Sequence, residues 1–154
     1  MKKELLILML TSGILTSNHI LSQATKINDK NLIGIFDGRT PCQELAKQLH
    51  EITIPECIKI KWRLVLYQDP KTHKPTTYLL NRSHLIPLEY PGTTGPWGII
   101  TGKDGRIIYE LKSDNESTPT YLLKLDENIL AFTDAKGNLL VGNEDFSYTL
   151  SRKW

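Results

Sequence analysis

Two cysteines, Cys42 and Cys57, carry most of the chemical potential of this 154-residue chain. In an oxidising compartment their simplest chemistry is a disulfide. It would close residues 43–56 into a loop worth about 3 kcal/mol in the chain-entropy model. Left as thiols, they offer a second chemistry. Cys42 would stand in a first helical turn, where the helix dipole favours thiolate. Two thiolates suit a soft ion such as Cu(I), with His50 or Glu56 as further ligands. The spacing lacks the compact Cys-x-x-Cys form of a metal site. A structural bridge is therefore the expectation, with copper at Cys42 and Cys57 as the alternative.

The other reactive side chains form no comparable pattern. His19, His50, His73 and His84 lie far apart in the sequence, without HxH or HExxH grouping, and read as solvated. There is no nucleophile elbow and no paired-carboxylate signature, so no catalytic residue is assigned. Gly92–Gly98 (GTTGPWG) lacks the Gly-Lys-Ser/Thr of a phosphate loop. It is expected to be a loop running into a strand, with Trp97 packed at one end of the fold. A formal charge of +2 gives no ground for a nucleic-acid partner.

The element that must organise these residues is Cys57–Tyr67 (CIKIKWRLVLY). Ile58, Ile60, Trp62, Leu64 and Leu66 share one parity, and Lys59, Lys61, Arg63 and Tyr67 the other. Val65 is the one apolar residue out of place. A period of two marks a strand with one buried and one wet face. Trp62 should then be buried, and Lys61 and Arg63 exposed. The basic parity reads as a solvated face, with a ligand-facing role as its alternative.

Upstream, Leu32–Asp37 reads as a strand and Gly38-Arg39 as a turn. Thr40 (N-cap), Pro41 (first helical position) and Gln43 (capping box) predict a short amphipathic helix over Pro41–Glu51. Downstream, strands are expected at Thr76–Asn81, Pro96–Thr101, Arg106–Lys112, Thr120–Leu125, Ile129–Thr133, Leu139–Val141 and Phe146–Ser151. Gly102–Gly105 and Asp134–Asn138 are turn signals among them. Many short strands with turns about every 10–12 residues predict an all-β antiparallel barrel or sandwich with one helix near the N-terminus.

Residues 1–24 have the form of a secretory signal peptide: basic Met1–Lys3, apolar Leu5–Leu10, and small residues at Ser22 and Ala24. The apolar stretch is too short to span a bilayer stably. Residues 25–31 read as a flexible arm, and 32–154 as one domain. The expected location is the periplasm or the exterior of the cell.

The order of motifs resembles the NlpE N-terminal domain family, the copper-resistance and envelope-stress lipoproteins of Gram-negative bacteria. The resemblance rests on Pro41-Cys42, Cys57, Leu64-x-Leu66-Tyr67, Thr77-Tyr78-x-Leu80, Gly95-x-Trp97, Asp134-x-x-Gly137-Asn138 and Tyr148-x-Leu150. It implies a small lipocalin-like β-barrel of about eight strands acting in the bacterial envelope. Two features depart from the family pattern: the second cysteine stands at Cys57 instead of in a Cys-x-x-Cys, and no lipid-anchoring cysteine follows the apolar stretch. The expected function is an exported, non-catalytic binding or stress- and metal-response module, monomeric and without a bound cofactor. The alternatives are a lipocalin-like carrier of a small apolar ligand and a module that docks an envelope protein.

Overall fold

A computed structural model describes residues 31–42, 57–83, 92–102, 104–113 and 118–153. Eight strands appear in chain order: β1 (Leu32–Pro41), β2 (Lys59–Gln68), β3 (Pro75–Ser83), β4 (Thr93–Thr101), β5 (Ile107–Leu111), β6 (Thr120–Lys124), β7 (Ile129–Thr133) and β8 (Thr149–Lys153). Each pairs antiparallel with the next, and β8 returns to β1 through Ile35↔Lys153 to Gly38↔Leu150. The sheet is thus a closed barrel, an arrangement that leaves no unpaired edge. The all-β antiparallel barrel expected from the sequence is the fold.

Alternation along β2 sets the core. Ile60, Trp62, Leu64 and Leu66 point inward and are at most 3% exposed, while Lys61 and Arg63 are exposed. Phe36, Tyr78, Leu80, Trp97, Leu111, Leu122, Phe132, Tyr148 and Leu150 complete a single interior cluster. Trp62 belongs to it. Its ring meets Phe132 at 5.2 Å, and its indole N–H donates to Thr40 Oγ1 at 2.9 Å. Trp97 closes the neighbouring sector by donating to the Tyr67 carbonyl at 2.8 Å and meeting the Tyr109 ring in a tilted contact at 5.0 Å.

Some apolar residues of the outward parity are buried as well. Ile108, Leu123 and Ala131 form a row across β5, β6 and β7 and are almost wholly covered. A Cβ added at Gly137, in the Asp134–Asn138 turn, would lie 3.6 Å from the Ile108 side chain, so that turn runs close over the row. Both faces of β6 and β7 are therefore covered, which explains why TYLLK and ILAFT lack clean alternation. On β2, Val65 is covered between Ile35 and Leu79.

The N-terminal expectation changes most. Gly38 and Arg39 do not turn the chain; β1 continues through them to Pro41, opposite Lys59. Thr40 is no helix cap but a buried strand residue whose hydroxyl accepts from Trp62. Pro41 is tolerated because it ends its strand, where a missing N–H costs little. The remainder of the expected helix, Gln43–Glu51, lies outside the described residues, as do the leader and residues 25–30 of the expected arm. Leu139–Val141 is not a strand: Leu139 makes an isolated bridge to Thr133, and Val141 is exposed. The closing strand begins at Thr149 instead of Phe146, and β4 already begins at Thr93, inside the expected loop.

The reason for Gly38 is space. A Cβ there would run into the Thr149 carbonyl oxygen and Leu150 across the β1–β8 seam. Gly38→Ala is therefore expected to destabilise the barrel by about 1–3 kcal/mol through overpacking. Gly98→Ala, where nothing lies within 4 Å of the added methyl, should leave the urea midpoint nearly unchanged. Equal midpoints for the two variants would remove the seam argument.

The two ends of the barrel differ. Tight turns at 69–74, 102–106 and 125–128 close one end. In the first and third, the carboxylates of Asp69 and Asp126 accept backbone N–H groups of the turn. All four longer connections (42–58, 84–92, 112–119 and 134–148) leave from the other end.

Candidate functional site

The outer faces of β1, β2, β3 and β8 meet in a groove of about 980 Å³, open to solvent near the end with the long connections. Period-two alternation puts its polar residues on this wall. The register sets Arg39 beside Lys61 and Lys61 beside Ser83. One step along, it sets Asp37 beside Arg63 and Ser151, and Arg63 beside Asn81. Asp145–Ser147, from the connection before β8, forms the rim. Lys59 reaches over the Phe146 ring at 5.6 Å from its centre.

Electrostatics divide the groove into a settled part and an unsettled part. Arg63 grips Asp37 with two parallel hydrogen bonds, Nε to Oδ1 at 2.9 Å and Nη2 to Oδ2 at 2.8 Å. The Arg63 hydrogen bond is the main influence holding the Asp37 carboxyl below its ordinary value of 3.8, with further help from the charges of Arg63 and Lys153. The Arg63 guanidinium is pushed up in return, chiefly by the same hydrogen bond. By contrast, Arg39 and Lys61 are neighbouring cations, and among the described residues neither forms an ion pair with a carboxylate. Ser147 and Thr149 share a hydroxyl hydrogen bond of 2.6 Å at the β8 side. Cations, hydroxyls and one committed carboxylate thus line the groove together.

The Asp37–Arg63 pair gives a pH prediction. The folded-state pKa of Asp37 lies below the unfolded value. The pair therefore contributes stability above the ordinary carboxyl range, and loses it as pH falls through the lowered folded value. Arg63 is 57% exposed, so the contribution should stay below about 1 kcal/mol. Asp37→Asn is expected to lower stability slightly at neutral pH and to flatten its acid dependence below pH 3.8. Parallel acid titration slopes for wild type and variant would contradict this.

The two cysteines are not free ligands. Cys42 and Cys57 are joined, with Cα atoms 5.8 Å apart, and both are buried. In this state neither offers a thiolate. Among the described residues no group of three His, Cys, Asp or Glu side chains is placed to hold a metal ion. The bridge lies just beyond the Pro41↔Lys59 pair, so it clamps β1 to β2 next to the Arg39–Lys61 row. His73 sits in the β2–β3 turn with a φ of 56°, away from the groove; His19, His50, His84 and Glu56 lie outside the described residues.

Sequence reasoning placed Lys59, Lys61 and Arg63 on one face but missed Arg39, Ser83 and Thr149. Arg39 was hidden by its reading as a turn residue. Continuing the Ile35-Asp37-Arg39 parity through Gly38 would have put it on the same wall. Ser83 and Thr149 reach the groove only through strand register, which no local pattern shows.

No protein-family model, curated protein or solved structure matches the chain.

Proposed function

We propose that this chain is an exported, non-catalytic β-barrel binding module of the NlpE type. It works in the bacterial envelope or outside the cell and engages its ligand or partner with its outer wall. The observation that carries this reading is the contrast between interior and exterior. Phe36, Trp62, Leu64, Leu122, Phe132 and Leu150 fill the barrel with at most 3% exposure, whereas the open groove lies outside. A small-molecule carrier of this architecture would keep an apolar cavity among those side chains. The Cys42–Cys57 bridge supports an oxidising compartment. It also favours a structural role for the cysteines over copper binding. The leader-like residues 1–24 support export. Among the described residues no helix is long and apolar enough to cross a membrane.

Tryptophan fluorescence tests the interior. Titration with a long-chain fatty acid is expected to leave Trp62 and Trp97 emission unchanged; saturable 1:1 quenching would make the protein a carrier instead. The wall is tested by photo-crosslinking in envelope extracts. A photoreactive residue at Lys61 should give discrete adducts, and one at Glu110, on the far side of the barrel, should not. Equal adducts from both positions would sink the outer-wall reading.

A further inference from the structure

We infer that the groove is a phosphate-binding site, with Arg39 and Lys61 as the residues that take the anion. This rests on the outer-wall reading above and names its ligand chemistry.

Three observations converge. The first is the Arg39↔Lys61 register. Like charges directly across a strand pair repel and destabilise the sheet. Here the repulsion is retained beside a disulfide that holds the two strands together. A bound anion would relieve it. The second is the placement of charge. Setting aside Arg82, which shares the inward parity of Trp62, four lining residues are Arg or Lys (Arg39, Lys61, Arg63 and Lys153) and two are Asp. One of the two, Asp37, is neutralised by Arg63. The surplus positive charge is concentrated in a cavity, although the whole chain carries only +2. A concave wall of one sign focuses the field on a counter-ion.

The third is the supply of neutral donors. Ser83 flanks Lys61 in the β3 register, and the Ser147–Thr149 hydroxyl pair lines the β8 side. A phosphate presents several acceptor oxygens. It is matched by the fork of an Arg, the point charge of a Lys and nearby hydroxyls. The Phe146 ring on the rim offers an apolar surface for whatever carries the phosphate. A free phosphate ester and a phospholipid headgroup share this chemistry.

The test uses the full exported chain with its disulfide intact. Binding is measured by calorimetry with glycerol phosphate, and by co-sedimentation with phosphatidylglycerol vesicles, phosphatidylcholine vesicles being the control. Saturable binding of glycerol phosphate is expected, weakened about tenfold by Arg39→Gln or Lys61→Gln, each removing a charge-assisted contact. Lys136→Gln, in the turn after β7, should bind as wild type does. Binding only to phosphatidylglycerol vesicles, with the same sensitivity to the two groove variants, also supports the site and identifies the source as a headgroup. Near-UV circular dichroism checks that the variants keep the barrel fold.

The inference is overturned if neither probe binds. It is also overturned if Lys136→Gln weakens binding as much as the groove variants do, since that would mean diffuse charge. Persisting crosslinks from position 61 in that event would retain the outer-wall reading and remove the phosphate assignment alone. A fatty acid that quenches Trp62 saturably would remove the outer-wall reading itself.

Discussion

Trp62→Ala is expected to lower stability by about 3–5 kcal/mol, the range for truncating a core aromatic. Three losses combine at this position. The side chain is 3% exposed, so nearly all of its apolar surface leaves the core. Its tilted contact with Phe132 disappears. The Thr40 hydroxyl, itself fully buried, loses the donor it accepts from. A polar atom stranded in that way adds its own desolvation cost of about 1–3 kcal/mol. Trp62→Phe separates the contributions, because it keeps much of the packing and removes the N–H. It should fall between wild type and Trp62→Ala in a urea melt. Thr40→Val in the Trp62→Phe background should then recover part of the loss, since no hydroxyl is left unsatisfied. Lys61→Ala, one residue away on the outer wall, should be nearly silent for stability. Comparable midpoints for Trp62→Ala and Lys61→Ala would mean that β2 faces the other way.

The second large effect is expected from the disulfide. Its loop spans a sequence separation of 15, so losing it should cost about 3 kcal/mol in the chain-entropy model. Cys42→Ala/Cys57→Ala is the cleaner probe, since serines would bury hydroxyls at sites that are 2% and 3% exposed. The double variant and the reduced wild type should show similar, lowered denaturation midpoints. Thiol titration of unfolded wild type, isolated without reductant, should find neither Cys42 nor Cys57 reactive. An unchanged midpoint in both comparisons would show that pairing alone holds β1 on β2. Because the bridge lies beside the Arg39–Lys61 row, phosphate binding should weaken in the double variant along with stability.

Much of this architecture was legible before any coordinates. The period of two in CIKIKWRLVLY set the inward and outward faces of β2, and Trp62, Lys61 and Arg63 stand where that parity put them. All eight strands overlap stretches whose β-rich composition and flanking turns had marked them. The cysteine pairing followed from a count of two together with an expected oxidising compartment.

Local signals failed where tertiary packing supplied a competing role. Thr40-Pro41 carries the chemistry of a helix start, yet the same Thr hydroxyl satisfies the indole of Trp62, 22 residues away. Gly38 looks like a turn residue, yet β8 lies too near it there to leave room for a Cβ. Leu139–Val141 has strand composition, but it forms an isolated Leu139–Thr133 bridge and one hydrogen bond from the Leu140 N–H to the Phe132 carbonyl instead of a ladder.

Local periodicity fixes which way a side chain points, because alternation is a property of one strand. It does not fix which side chains become neighbours. Arg39, Lys61, Ser83 and Thr149 come from four strands, and only register and barrel closure bring them to one groove. Interior and exterior were thus settled by the residues along each strand. The candidate site was settled by pairing across strands, because its field depends on distances between residues remote in the chain.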